Sequence, residues 1–289
     1  MFQFIQAIVS GFLIGGVYGL FSIGLTLIFG VMKLVNFAHG EFIMLGMYLT
    51  FVCVTYLFLN PFLSIIIVAP LMYGFGLLIY KFLYEKVLSE TDLPQMVLTV
   101  ALSLLIQTAM LMIFSPNIKS ITTSYAQTYY HLGPIFINQA QLFAFIIVIV
   151  CSILLNQFLT QTDMGKAMRA TVDDREMALM VGINIRQIYA LAVGLGTALA
   201  GVAGAVILTY FPLFPTVGLN FLVLAFVTIV LGGMGSIMGA LVGGMLVGIT
   251  QQVSAVYLPY DLQNAVLFVL FIVILLFKPS GLMGRETAL

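Results

Sequence analysis

The sequence predicts an all-α, polytopic integral membrane protein with about eight transmembrane helices, and it leaves room for broken or re-entrant segments and an internal repeat. Three observations predict this. Of the 289 residues, 62% are hydrophobic and only 7% are charged, against about 45–50% apolar and about 25% charged in soluble domains. So few charges cannot cover a water-facing surface, and lipid is the remaining solvent. Apolar runs of about 20 residues, the length that crosses a bilayer as a helix, alternate with short clusters of charge, Pro or Asn. Glycines recur at four-residue spacing as Gly11, Gly15, Gly19, as Gly235, Gly239, Gly243 and as Gly244, Gly248, a ridge pattern that lets helix backbones touch in lipid. Residues 1–289 read as one transmembrane domain. The formal net charge is zero, so nothing points to a nucleic acid or another polyanion.

The elements follow in order. Phe4–Gly30 is a first span; the first 32 residues hold no Lys or Arg, so no cleavable signal is expected. Lys33 to Glu41 is a polar break. Phe42–Leu59 spans next and ends at Asn60-Pro61, and Phe62–Tyr80 runs into Lys81, Glu85 and Lys86. Asp92-Leu93-Pro94 reads as a capped helix start, with the helix reaching about Phe114. Ser115–Gln139 is a polar loop and Gln141–Leu159 a further span. Asp163–Arg186 holds eight charges, whereas Gln187–Tyr260 holds none. The latter stretch accommodates Ile188–Tyr210 and two shorter segments broken at Gly232-Gly233 and Gly235. Asp261 is placed to cap a last helix, Leu262–Phe277. An apolar run, a polar break and a glycine-containing helix occur at Gly30–Gly46 and again in outline at Leu231–Gly248. Cys53 and Cys151, both in apolar stretches, read as core residues, and Tyr takes the interfacial role of the missing Trp.

Lys and Arg in short loops mark the cytoplasmic side. They place the Lys81–Lys86 loop, the Lys166–Arg186 loop and the C-terminus with Lys278 and Arg285 inside, and Ser115–Gln139 outside. The N-terminus is then outside if Lys33–Glu41 lies wholly inside, and the assignment reverses if that segment is re-entrant.

Two segments are chemically unusual. Asn36-Phe37-Ala38-His39-Gly40-Glu41 sets an amide, an imidazole and a carboxylate between apolar spans. Charge at bilayer depth costs about 2.5–3.5 kcal/mol on insertion scales, so such groups are paired or line a cavity. The segment reads as a broken helix along a substrate route, as a polar clasp between helices, or as a loop at the membrane face; Gly232, Gly233 and Gly235 are further candidates for the route. The second segment is Asp163–Arg186, with Lys166, Arg169, Asp173, Glu176, Ala178 and Gly182. It reads as a helix whose charges and methionines (Met164, Met168, Met177, Met180) suit a protein partner, with Gly182 as its left-handed stop, or else as a solvated loop. On one continuous helix Arg169 and Glu176, two turns apart, share a face. No phosphate-binding G-x-x-x-x-G-K-[ST] loop occurs, so no ATP site is expected in this chain. The two histidines are far apart, no metal-ligand cluster stands out, and no catalytic constellation suggests an enzyme.

Asn36-Phe37-Ala38-His39-Gly40-Glu41 with Met44-Leu45-Gly46 resembles a signature of the branched-chain amino acid permeases of ATP-binding-cassette importers, the Liv type. Lys166-Ala167-Met168-Arg169-Ala170, Met177-Ala178, Gly182-Ile183-Asn184, Ala200-Gly201-Val202-Ala203-Gly204, Leu231-Gly232-Gly233-Met234-Gly235-Ser236-Ile237, Gly239-Ala240 and Pro279-Ser280-Gly281-Leu282-Met283-Gly284 are similar to the same family and follow its order. The length suits its H-type subunit. The resemblance implies an inner-membrane importer subunit beside a second related permease. Two cytoplasmic ATPases that bind ATP and an extracytoplasmic amino-acid-binding protein complete the assembly. It also implies that Lys166–Ile183 is the coupling helix. The alternative is a stand-alone secondary transporter or channel for a small polar solute such as urea or an amino acid, with Glu41 and His39 as the evident groups for proton coupling.

Overall fold

The computed structural model describes residues 2–284 apart from Ser89, Thr122 and Pro134, so Arg285 lies outside it. Apolar runs too long for anything but helix, with few polar breaks, form α1 (Phe2–Met32), α2 (His39–Leu57), α3 (Ile65–Ile79), α5 (Asp92–Phe114), α6 (Gln139–Gln161), α9 (Ile185–Ile207), α10 (Val217–Gly232), α11 (Ile237–Tyr257) and α12 (Tyr260–Phe277). A π-helical turn, Tyr80–Tyr84, carries α3 into the short α4 (Glu85–Val87). Among the described residues seven helices are long and apolar enough to cross a membrane, and Val217–Gly232 and Ala265–Phe277 are shorter apolar helices. The chain is thus a multi-pass, helical membrane protein.

Several boundaries differ from the sequence reading. Thr91, not Asp92, is the N-cap of α5, and Asp92 occupies its first turn. The last helix starts at Tyr260 after Pro259, and the side chain of Asp261 lies outside the described residues. The loop read as irregular contains an antiparallel hairpin, β1 (Tyr129–Leu132) with β2 (Ile135–Asn138), pairing Tyr129 with Asn138 and Leu132 with Ile135. Gly133, at φ +63°, supplies its turn. Lys166–Ile183 is not one helix. Asp174 takes an extended conformation and divides it into α7 (Asp163–Asp173) and α8 (Arg175–Met180).

The core is α1 against α11 and α9 against α3, with α9 also on α1 and α2. Gly11, Gly15 and Gly19 of α1 meet the Gly244–Gly248 face of α11, while Gly239 and Gly243 pack on α10. A Cβ at Gly15 would stand 2.6 Å from the Gly244 carbonyl oxygen, and one at Gly11 2.6 Å from Ile249 Cα. On the other pair, a Cβ at Gly201 would stand 2.6 Å from Met72 Cγ. The arrangement is reciprocal. Helices α1–α2–α3 and α9–α10–α11 begin at opposite ends of the bundle, the first of one packs on the third of the other, and the two first helices touch at Gly24 and Gly196. In that contact a Cβ on either glycine would meet the other's carbonyl oxygen, at 2.6 and 2.7 Å. This is the pattern of an inverted repeat. It matches the break after α1 with the break after α9, residues 208–216, and not with Gly232–Gly235 as the sequence outline suggested.

The N-terminal end of α1 lies beside the hairpin: the Gln6 amide donates to the Phe136 carbonyl at 2.6 Å and accepts from the Phe136 N–H at 2.8 Å. The other end of α1 borders α5 and the α7–α8 segment. Single cysteines at Gln3 and Thr123, on a background without Cys53 and Cys151, will therefore label from one side of the membrane, and a cysteine at Arg175 from the other. Lys/Arg asymmetry makes the Arg175 side the cytoplasmic one. Labelling of Thr123 and Arg175 positions from the same side would overturn this map.

Candidate substrate route and coupling segment

After Met32 the chain reverses. Lys33 adopts φ +58°, and residues 34–38 climb back alongside α1. The climb is deep: His39 Nε2 lies 2.8 Å from the Phe21 carbonyl oxygen, eleven residues before the end of α1 and so about 16 Å up the helix at 1.5 Å per residue. Helix α2 therefore starts inside the bundle and runs on toward the hairpin end, where Tyr48 stacks on Phe114 and Phe62 meets Tyr125 and Phe143. The segment climbs without turning back, so the count of crossings is unchanged. The sequence pattern places Asn36–Glu41 wholly before the helix; His39, Gly40 and Glu41 instead form its first turn.

Each polar group there has a definable environment. Asn36 Oδ1 accepts from the Ala38 N–H and from the Tyr84 hydroxyl, both at 3.0 Å. The amide thus folds its own chain into a turn and ties it to the π-helical turn that aims Tyr84. Gly40 packs directly on the Gly218 carbonyl of α10, and a side chain there would push the two helices apart. Glu41, 1% exposed, accepts from Ser103 Oγ of α5 at 3.4 Å. Its carboxylate faces Gly218 in the first turn of α10, where the helix dipole favours negative charge. Oε2 has no hydrogen-bond partner, and neither ion pair among the described residues includes Glu41.

Gly232, Gly233 and Gly235 are not part of this cluster. They lie at the opposite end of α10, about 21 Å along its axis from Gly218. Gly233 and Gly235 take φ +104° and +90°, forming the turn into α11. Residues after α12 fold onto it: the Leu282 and Met283 N–H groups donate to the Leu231 and Gly232 carbonyls at 2.8 and 2.9 Å.

The charged segment is built tightly. Thr162 Oγ1 caps α7 through the Gly165 N–H at 3.0 Å, and Gly165 packs against the Phe158–Leu159 backbone so that α7 folds hard onto α6. Asp174 Oδ1 caps α8 through the Glu176 and Met177 N–H groups at 2.9 and 3.0 Å, which is why the helix breaks there. Arg169 and Glu176 consequently sit on different helices and share no helical face. Lys166, Arg169, Asp173 and Glu176 are exposed; Lys166 lies 3.8 Å from Asp163. Ala178 and Met168 point inward, at 2% and 1% exposure. Gly182, at φ +83°, closes α8 by donating to the Leu179 carbonyl at 3.0 Å while the Ile183 N–H reaches Ala178. Met177, Leu179, Met180 and Val181 remain exposed.

Sequence reasoning missed Tyr84, Thr99, Ser103 and Gly218. For the two α5 residues a signal existed in the spacing of its polar residues. For Tyr84 and Gly218 none did, since their roles depend on which helices meet.

The family described as the branched-chain amino acid transport system/permease component matches residues 7–275. The chain is 30% identical to the high-affinity branched-chain amino acid transport system permease protein BraD of Pseudomonas aeruginosa, over 99% of this chain and 97% of that one. It is 29% identical to LivH of Escherichia coli K12, a protein of the same description, over 98% and 96%. A probable branched-chain amino acid transport permease protein of Methanocaldococcus jannaschii is 26% identical over 92% and 88%. No solved structure gives a significant match. With a family match along nearly the whole bundle, this chain belongs to the permease components of branched-chain amino acid transport systems.

Proposed function

We propose that this chain is the pore-forming subunit of an ATP-binding-cassette importer that moves branched-chain or similar small amino acids across the inner (plasma) membrane. The observation that carries the reading is the family match over residues 7–275. ATP is bound by partners: two cytoplasmic ATPase subunits act on this chain and a second, related permease, and an extracytoplasmic protein delivers the amino acid.

In this reading α7 and α8 receive the ATPase. Exposed Met177, Leu179 and Met180 lie on the charged segment, where lipid does not explain apolar exposure, and Lys166, Arg169, Asp173 and Glu176 are exposed on the same segment. Such a patch suits a shaped protein contact. Movement of α8 reaches the core because Gly182 and Ala178 lock it to the start of α9, and α9 packs on α1, α2 and α3. The broken start of α2, with Asn36, His39, Gly40 and Glu41, borders the substrate route at mid-depth, and the Gly232–Gly233–Gly235 turn is a pivot at its cytoplasmic end.

Co-expression with its transport partners tests the reading. The chain will copurify with an ATPase subunit, and proteoliposomes holding the complex will take up leucine only with ATP and the binding protein. Leucine uptake by the chain alone, driven by an ion gradient, would replace this reading with a secondary carrier.

A further inference from the structure

Helix α5 is attached unlike the others. It packs chiefly on α2, and Leu93, Val97, Val100, Leu104, Leu105 and Met112 on its outer face are exposed. Its polar residues are not scattered. Asp92, Gln95, Thr99, Ser103 and Gln107 recur every three or four positions and fall within an arc of about 120° at 3.6 residues per turn; Thr108 alone lies elsewhere. The stripe turns inward. Thr99, 0% exposed, donates to the Val35 carbonyl at 3.2 Å, and Ser103 donates to Glu41. Gln107 is half-buried and makes no hydrogen bond among the described residues. A stripe that served only to glue α5 to the bundle would have its groups paired and its helix well packed. Here the packing is slight, Glu41 Oε2 is buried without a partner, and half-buried Gln107 makes no hydrogen bond among the described residues.

The stripe also leads somewhere. At its cytoplasmic end lies a cavity of about 480 Å³ bordered by Lys33, Asp92, Gln95, Asp174, Arg175 and Tyr189. A second hollow of about 260 Å³ shares Lys33, Asp92 and Gln95 and reaches Val35 and Met96, one turn below Thr99. Polar groups thus continue from the cytoplasmic face through Thr99 to Ser103 and Glu41 at mid-depth and on to Gln107.

We propose that the seam between α5 and the start of α2 is this subunit's wall of the substrate route, and that Glu41 with Ser103 is its contact for the ammonium group of a zwitterionic amino acid. The assignment rests on the importer reading and adds its recognition chemistry. A carboxylate shut away from water without a cationic partner is costly. A passing ammonium supplies the missing cation, and Ser103 supplies a second oxygen for it. The α10 N-terminus holds the carboxylate in place between passages.

Accessibility tests this. In the full transporter, on a background without Cys53 and Cys151, single cysteines replace Gln95, Thr99, Ser103 and Gln107, with Leu104 and Leu105 as lipid-facing controls. A cationic methanethiosulfonate reagent will modify the stripe positions during ATP turnover and spare the controls, and leucine will slow the reaction at Gln107→Cys several-fold. Glu41→Gln, nearly the same shape, will keep that reactivity but lose the leucine protection, an outcome a purely structural carboxylate would not give. If Glu41→Gln does not accumulate, Ser103→Ala read through Gln107→Cys will weaken protection in the same way. Unreactive stripe positions in a complex that takes up leucine overturn the seam and leave the importer reading standing. Protection that survives Glu41→Gln, or Ser103→Ala where that variant is used, overturns the ammonium contact. An assembled complex that takes up no leucine overturns the importer's substrate and this inference with it.

Discussion

Gly15→Leu will abolish accumulation of the folded protein, whereas Gly74→Leu will leave it at the wild-type level. The two changes are chemically identical, and both lie in apolar helices. A Cβ at Gly15 would meet backbone, 2.6 Å from the Gly244 oxygen and 2.7 Å from Met245 Cα, while one at Gly74 meets nothing within 4 Å. Overpacking ordinarily costs about 1–3 kcal/mol because side chains move aside. Backbone cannot move aside without separating α1 from α11, so the upper end of that range is the floor, and about 3 kcal/mol is about two orders of magnitude in the folded fraction. Membrane fractions blotted for tagged protein, followed by size-exclusion in mild detergent, read the outcome. Equal yields of the two variants would show that α1 and α11 do not meet along these glycines.

Gly182→Pro will produce the largest loss of transport among variants that still insert normally. Proline fixes φ near −65° and has no N–H, but this position needs φ +83° and donates to Leu179. The turn that locks α8 to α9 would open, while the helices in the hydrocarbon stay intact. Leucine uptake and substrate-stimulated ATP hydrolysis will fall at least about tenfold, and Gly182→Asn, which tolerates the left-handed region, will retain most of both. Arg169→Glu will have a smaller effect, since an exposed charge contact is worth about 0–1 kcal/mol. Normal assembly and stimulated hydrolysis in Gly182→Pro would remove α7–α8 from energy coupling.

The spans were legible because lipid demands about 20 apolar residues in a row, a requirement local in sequence. Gly182 was legible too, since a glycine after a short helix has one common use. Depth was not. The flanks of Asn36–Glu41 reveal polarity, but only the His39–Phe21 contact reveals that the chain climbs back into the bundle before α2 begins. The break at Asp174 was missed because Asp is acceptable within a helix and preferred as a cap, and a run of charged residues does not decide between them. The hairpin carried a signal in Gly133 between short runs rich in aromatic and β-branched residues, obscured by the loop's polar ends. The α5 stripe was visible as spacing. Its meaning was not, because spacing cannot tell a packed face from a loosely held one.

The pairing of α1 with α11 also sets a schedule for biosynthesis. The glycine face of α1 leaves the ribosome first, and its partner follows about 230 residues later. At about 5–20 residues per second that is a wait of about 10–45 seconds. Throughout it the glycine ridge of the most buried helix of the finished protein lacks its α11 partner, although α6, α9 and α10 cover other parts of α1 before α11 arrives. Chains cut short before Gly244 will therefore insert yet lack the clasp that closes the bundle, and membrane proteases will meet them as unfinished goods.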